Sequence, residues 1–193
     1  MGRFVYWMNV SLDLKIESAP GDHDAGNWLR ITERLHREFN RRARDLALFV
    51  EGRIIYEMMD PFWPNARTDE SQPDFIREYG EIWTSTSKVL VSRTRESAEH
   101  NTTIIGGDDA IDQLARLRAE TDGAIGVGGA NGATQLLRAE LLDELLLFTH
   151  PVILGTGRPL FDDQLDRLDL DLIEQASFDE GVTLHRYAVR YDE

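Results

Sequence analysis

Three short stretches of this chain carry residue types able to grip phosphate. Gly128, Gly129, Ala130, Asn131 and Gly132 follow a short apolar run and precede a helical pattern. At such a junction the unshielded backbone N–H groups and the positive end of the helix dipole make an anion site, and glycine lets a pyrophosphate reach the backbone. Ser92, Arg93 and Thr94 close a second apolar run with two hydroxyls and a guanidinium, donors suited to a terminal phosphate through charge-assisted hydrogen bonds. Gly52 and Arg53 form a third junction of this kind. Either of the last two alone is more often a solvated turn. Three such turns at strand ends of one α/β sheet lie where open sheets bind ligands, and an extended dinucleotide bearing a 2′-phosphate fits them. The Rossmann fingerprint is not met: counted from Gly126 and Gly128, the sixth position is Asn131. Asp143 and Glu144 also begin, rather than end, the strand after the turn, which sets a doubly wound dehydrogenase aside.

Composition removes other chemistries. Cysteine is absent from the 193 residues, so disulfides, thiolate zinc sites and cysteine nucleophiles are excluded. His23, His36, His100, His150 and His185 show no i, i+4 pairing, so no metal site is expected, and His150 before Pro151 reads as structural. Thr84 to Ser87 lack a G-x-S-x-G nucleophile motif. A formal charge of -14 opposes nucleic acid or an anionic membrane as partner. The sequence holds neither a window of about 18 apolar residues nor a basic-then-apolar leader, and the expectation is a soluble, cytoplasmic protein acting on a small molecule.

The elements that must position these turns follow from periodicity. Residues 3–10 form a buried first strand, and a loop runs on through Pro20, Gly21 and Gly26. Ile31, Leu35 and Phe39, with Thr32 as cap, predict a helix over 31–43. The apolar run 46–50 is a central strand ended by Gly52 before a helix over 53–59. Three prolines in 60–87 suggest a long excursion with one short helix. Strands follow at 88–92 and 102–105, a helix at 109–121, a strand at 124–127 and a helix at 133–142. A long strand over 144–154 is interrupted by Pro151, and 170–178 and 182–191 close the chain as a hairpin turning at Asp179, Glu180 and Gly181. The alternation argues one α/β domain over 1–193 with an antiparallel C-terminal edge.

The chain resembles the dihydrofolate reductase-like superfamily, in particular single-domain proteins related to the reductase half of the bifunctional riboflavin-biosynthesis deaminase-reductase. The carrying residues are Ser11-Leu12-Asp13, Gly52-Arg53-Ile54-Ile55-Tyr56-Glu57, Lys88-Val89-Leu90-Val91-Ser92-Arg93-Thr94, and Gly128-Gly129 followed by Leu136-Leu137 and Leu141-Leu142-Asp143-Glu144. The most specific is Pro151-Val152-Ile153-Leu154-Gly155-Thr156-Gly157-Arg158-Pro159-Leu160-Phe161.

The resemblance implies a three-layer fold, a central mixed sheet of about eight strands flanked by helices. It implies NADPH, with Gly52 and Arg53 near its phosphates, Ser92, Arg93 and Thr94 at the adenosine 2′-phosphate, and Gly128, Gly129, Ala130, Asn131, Gly132 and Ala133 at the pyrophosphate. The nicotinamide would reach a substrate pocket near Asn9, Ser11, Asp13 and Trp28, with Asp13 as candidate catalytic group. Family reductases pass hydride to a C=N bond of a pterin or to the ribosyl imine of a pyrimidine intermediate. The riboflavin-type pattern has glycine after Ser-Leu-Asp where this chain has Leu14, which would narrow the substrate entrance. Dihydrofolate reductases carry an acid on the first helix, for which Glu33 and Glu38 are the nearest candidates. The resemblance also suggests a homodimer through the C-terminal strands. The alternative on the same fold is a noncatalytic or regulatory nucleotide-binding protein.

Overall fold

The computed structural model describes residues 1–18, 25–162 and 165–191; Pro20, Gly21 and His23 lie outside the described residues. The first strand, β1 (Arg3–Ser11), is buried on both faces, with Phe4, Tyr6 and Val10 in one core and Val5 in the other. A single 3-10 turn (Ala25–Trp28) leads to α1 (Glu33–Arg44), where Thr32 caps the helix by accepting from the Leu35 N–H at 3.4 Å. Leu35, Phe39 and Ala43 turn inward at helical spacing. Next come β2 (Leu46–Gly52) and α2 (Arg53–Met59), as the glycine junction predicts.

Residues 60–87 hold two helices where one was expected, α3 (Trp63–Thr68) and α4 (Asp74–Ser85). The prolines do not break them. Pro64 lies in the first turn of α3 and Pro73 is the cap of α4, positions where the missing N–H costs nothing. The two helices pack so closely that a Cβ on Gly80 would come within 2.7 Å of the Trp63 carbonyl oxygen.

β3 (Lys88–Val91), β4 (Thr102–Ile105), α5 (Ala110–Glu120) and β5 (Ala124–Gly128) follow. α6 (Ala130–Arg138) starts three residues earlier than its apolar pattern indicates, directly on Gly129, and stops before Leu142. Glu140 ends it in the left-handed conformation (φ 55°), with the Leu141 N–H donating to the Leu136 carbonyl at 2.9 Å and that of Glu140 to Leu137 at 3.0 Å. β6 (Leu142–His150) therefore begins sooner than expected and ends before Pro151, which follows the strand instead of interrupting it. β7 (Asp169–Ser177) and β8 (Thr183–Arg190) form the expected hairpin.

All eight strands join one sheet in the order β4-β3-β2-β5-β1-β6-β8-β7, parallel through β6 and antiparallel beyond it. α5 and α6 pack on one face through Leu114, Ala133 and Leu136, and α1 and α4 cover the other through Leu35, Phe39 and Trp83. This is the three-layer α/β fold with a mixed sheet. No helix among the described residues is long and apolar enough to cross a membrane.

Candidate functional site

The parallel strands β2, β3, β4 and β5 all end on the same side, and their last residues open into a cleft of about 660 Å³. Its walls include Gly52, Arg53, Ser92, Arg93, Thr94, Gly128, Gly129, Ala130, Asn131 and Gly132, so the three turns read from the sequence face one space. Ala133 does not line it; one turn into α6, it is fully buried in the core.

Each turn is built for its place. Gly129 caps α6 at φ 106°, a conformation that favours glycine. The Ala133 N–H donates to the Gly129 carbonyl at 3.2 Å, which leaves the N–H groups of Ala130, Asn131 and Gly132 as the unbonded first turn. A Cβ on Gly132 would meet nothing within 4 Å, so this position opens onto free space. Ser92 shapes its own turn, its Oγ accepting from the Thr94 N–H at 3.2 Å and the Arg95 N–H at 3.1 Å. Arg93 is exposed, and no described carboxylate pairs with it. Arg53, by contrast, is tied to Glu57 at 2.8 Å.

Residues the sequence reading passed over also line the cleft. Gly106 follows β4 as a strand-glycine junction of the same kind as the others, and that signal was available; a Cβ there would lie 2.2 Å from the Ser92 carbonyl oxygen. Ile16, Glu17 and Arg158 line it as well. They come together because the Ile16 N–H donates to the Arg158 carbonyl at 2.8 Å and the Leu160 N–H to that of Leu14 at 3.0 Å. Arg158 is held by Asp162 at 2.9 Å, and Asp162 in turn by its N–H on the Thr134 hydroxyl at 3.0 Å. Nothing local in the sequence signals these contacts.

The residues at the end of β1 are arranged differently from the expectation. Asn9, Ser11 and Trp28 do not line the cleft. Ser11 is fully buried, donating to Asp13 at 2.7 Å and accepting from the Lys15 N–H at 2.9 Å, so its hydroxyl is spent within the turn. Asp13 also accepts from the N–H groups of Leu154 at 3.0 Å and Gly155 at 2.9 Å. The Leu154 and Ser11 bonds chiefly hold its carboxyl down at about 2, which leaves an ionised anchor with no proton to give near neutrality. Trp28 is buried edge-on to His150, ring centroids 5.5 Å apart. His150 bonds to the Asn9 Oδ1 at 3.1 Å and accepts from the Arg30 N–H at 2.9 Å; burial, aided by Arg30, lowers its pKa to about 4. Glu33 pairs with Arg37 and Glu38 with Arg41 and Arg42, so both helix acids are engaged on α1 itself. Leu14 adopts φ 55°, which gives the physical reason for glycine at this place in the resembling pattern; its side chain is outside the cleft walls. Among the described residues no group of three or more His, Asp or Glu could hold a metal.

Comparison with known proteins agrees with this fold. The RibD C-terminal domain family model matches residues 4–184. The uncharacterized protein YyaP of Bacillus subtilis (strain 168) is 27% identical over 181 residues, 93% of this chain and 91% of that protein. A putative riboflavin biosynthesis protein from Shewanella sp. PV-4 superposes with a TM-score of 0.74 at 20% identity, covering 98% of this chain and 99% of that one. A dihydrofolate reductase from Enterococcus faecalis, complexed with NADP(H), gives 0.58 at 12% identity, covering 98% and 94%. At these identities the structural likenesses show a shared fold.

Proposed function

From the premise that this chain belongs to the RibD C-terminal domain family, we propose that it is an NADPH-dependent reductase passing hydride to a C=N or similar bond of a small heterocycle, pterin-like or ribosylaminouracil-like. The observation that carries this is one cleft with two groups of anion donors that have no partner among the described residues: the first-turn amides of α6 at Ala130 to Gly132, and Arg93 on a turn shaped by Ser92. The donor set suits a dinucleotide phosphate, and the open space off Gly132 admits a pyrophosphate against the backbone. On this reading Gly128 to Gly132 hold the pyrophosphate, Ser92, Arg93 and Thr94 the 2′-phosphate, and Gly52 and Arg53 flank them. Bound NADPH would supply the hydride. Asn9 and Trp28 belong to the substrate side, and Asp13 serves as the anchor of the loop around them.

Titration of the purified protein with NADPH and NADH tests the proposal. Tight NADPH and weak NADH binding supports it; absence of both sinks it. The noncatalytic alternative draws on one observation, that Asp13, Glu33 and Glu38 are all engaged elsewhere. Water can supply the proton in a hydride transfer, so turnover of a heterocyclic imine by NADPH separates the two readings. We further propose one domain and a homodimer, the latter through the sheet face where Leu170 and Leu172 stand opposite Val189 and Tyr187.

A further inference from the structure

We propose that Glu17 is a cofactor-binding residue whose carboxylate accepts hydrogen bonds from the hydroxyls of the nicotinamide ribose. The proposal rests on the NADPH reading of the cleft and adds the group that holds the half of the molecule without the 2′-phosphate.

Among the described residues that line the cleft, two carry carboxylates, Asp108 and Glu17. Asp108 is exposed, whereas Glu17 is buried. The chain around Glu17 fixes its place. The Ile16 N–H bond to the Arg158 carbonyl and the antiparallel bridge between Lys15 and Pro159 hold the two segments together. Gly157, at φ 115°, lies so near that a Cβ there would sit 1.9 Å from the Glu17 carbonyl oxygen. Arg158 Nη1 stands 3.9 Å from Glu17 Oε1, outside hydrogen-bond reach, while the same guanidinium bonds to Asp162 at 2.9 and 3.1 Å. A carboxylate offers two oxygens and about four lone pairs, so Glu17 can accept from a ligand beside the partners it already has.

Charge decides what such a group can meet. A buried carboxylate repels phosphate, so in a cleft that takes a dinucleotide it belongs beside a neutral part that donates. Sheet order says which part. The turn at Ser92 leaves β3, the turn at Gly128 leaves β5 two strands on, and β1, whose outgoing loop carries Glu17, is the next strand after β5. Neighbouring strands lie about 4.8 Å apart. A dinucleotide laid with its 2′-phosphate at β3 and its pyrophosphate at β5 therefore brings to the β1 side the group bonded directly to the pyrophosphate, the nicotinamide ribose. Its two hydroxyls donate, and a carboxylate accepting from a ribose hydroxyl is a pairing that dinucleotide sites on other folds use. The carboxamide amine of the nicotinamide is the competing donor, and it lies a full ring farther from the pyrophosphate.

Calorimetry with three probes tests this: NADPH; 2′-phospho-ADP-ribose, which keeps the second ribose and lacks the nicotinamide; and adenosine 2′,5′-bisphosphate, which lacks both. Glu17→Ala should weaken NADPH and 2′-phospho-ADP-ribose each by about ten-fold or more, the size expected of hydrogen bonds to a charged group. Glu17→Gln should weaken the same two by about three-fold, since its amide oxygen still accepts. The bisphosphate should bind both variants as tightly as the parent or tighter, because a negative charge has left the cleft. Its retained binding also shows that the variants are folded. If Glu17→Ala does not fold, Glu17→Gln, of nearly the same shape, decides by the same contrast. Equal loss on all three probes would make Glu17 structural, no loss on any would leave it without contact, and loss confined to NADPH would move the contact to the nicotinamide. Each of these overturns the proposal while the parent's NADPH binding stands. A parent protein that binds none of the three sinks the NADPH reading, and the proposal with it.

Discussion

Among the described residues that line the cleft, Arg93 is the cation without a carboxylate partner, because Arg53 already pairs with Glu57 and Arg158 with Asp162. Arg93→Ala should weaken NADPH by about 10- to 100-fold, the worth of charge-assisted hydrogen bonds, while NADH changes by less than about three-fold. Nicotinamide fluorescence would show it, and equal losses would mean that Arg93 does not read the 2′-phosphate. Gly132→Ala separates site from fold. Its Cβ meets no protein atom within 4 Å, so thermal stability should hold or rise by up to about 1 kcal/mol while NADPH affinity falls. Affinity unchanged by the methyl would place the pyrophosphate elsewhere. Glu51 lies under the neighbouring junction, buried, with Oε1 accepting from Trp83 Nε1 at 3.0 Å and Oε2 without a described partner. Burial raises its carboxyl from 4.5 to about 7, opposed by the Trp83 bond and by Lys88. The folded protein thus holds this proton more tightly than the unfolded chain, so stability from Glu51 is full below the unfolded value, falls as pH rises toward about 7, and is level above. His150, whose pKa burial lowers to about 4, contributes the opposite slope over the same range, so the Glu51 share is read as a difference: in urea unfolding at about pH 5 and about pH 8, Glu51→Gln should gain on the order of 2 kcal/mol over the parent at the higher pH and little at the lower. A slope unchanged in Glu51→Gln would assign it to other groups.

At the scale of elements, the strand-glycine-helix junctions were legible because each is local: an apolar run, a glycine, a change of period. The misread helices share one cause, that the same residue type serves either to end or to begin a helix. Pro64 and Pro73 begin α3 and α4, and Gly132 sits inside the first turn of α6 instead of before it. The end of α6 makes a prediction. Glu140 occupies the left-handed position where glycine is favoured, so Glu140→Gly should stabilise the protein by about 0.5–1 kcal/mol. A lower melting temperature for this variant would show that the Glu140 side chain contributes more than its backbone costs.

On the scale of the whole molecule, β6 reads as too apolar for an edge, and the sheet answers by placing it between β1 and β8. The edge role passes to β7, where Leu170 and Leu172 are exposed. If that face joins two copies, the protein elutes as a dimer and Leu172→Arg elutes as a monomer with unchanged circular dichroism; a monomeric parent would sink the idea. The sequence by itself determined the family resemblance, the order of strands and helices, and the three turns that meet at the cleft, because each depends on residues within a few positions of one another. Only the tertiary structure decided that Asn9 and Ser11 lie off the cleft, that Glu17 and Arg158 line it, and that Asp13 is an anchor. The Asp13 carboxylate is held by amides 141 and 142 residues away, and no periodicity or spacing carries the identity of a partner that distant.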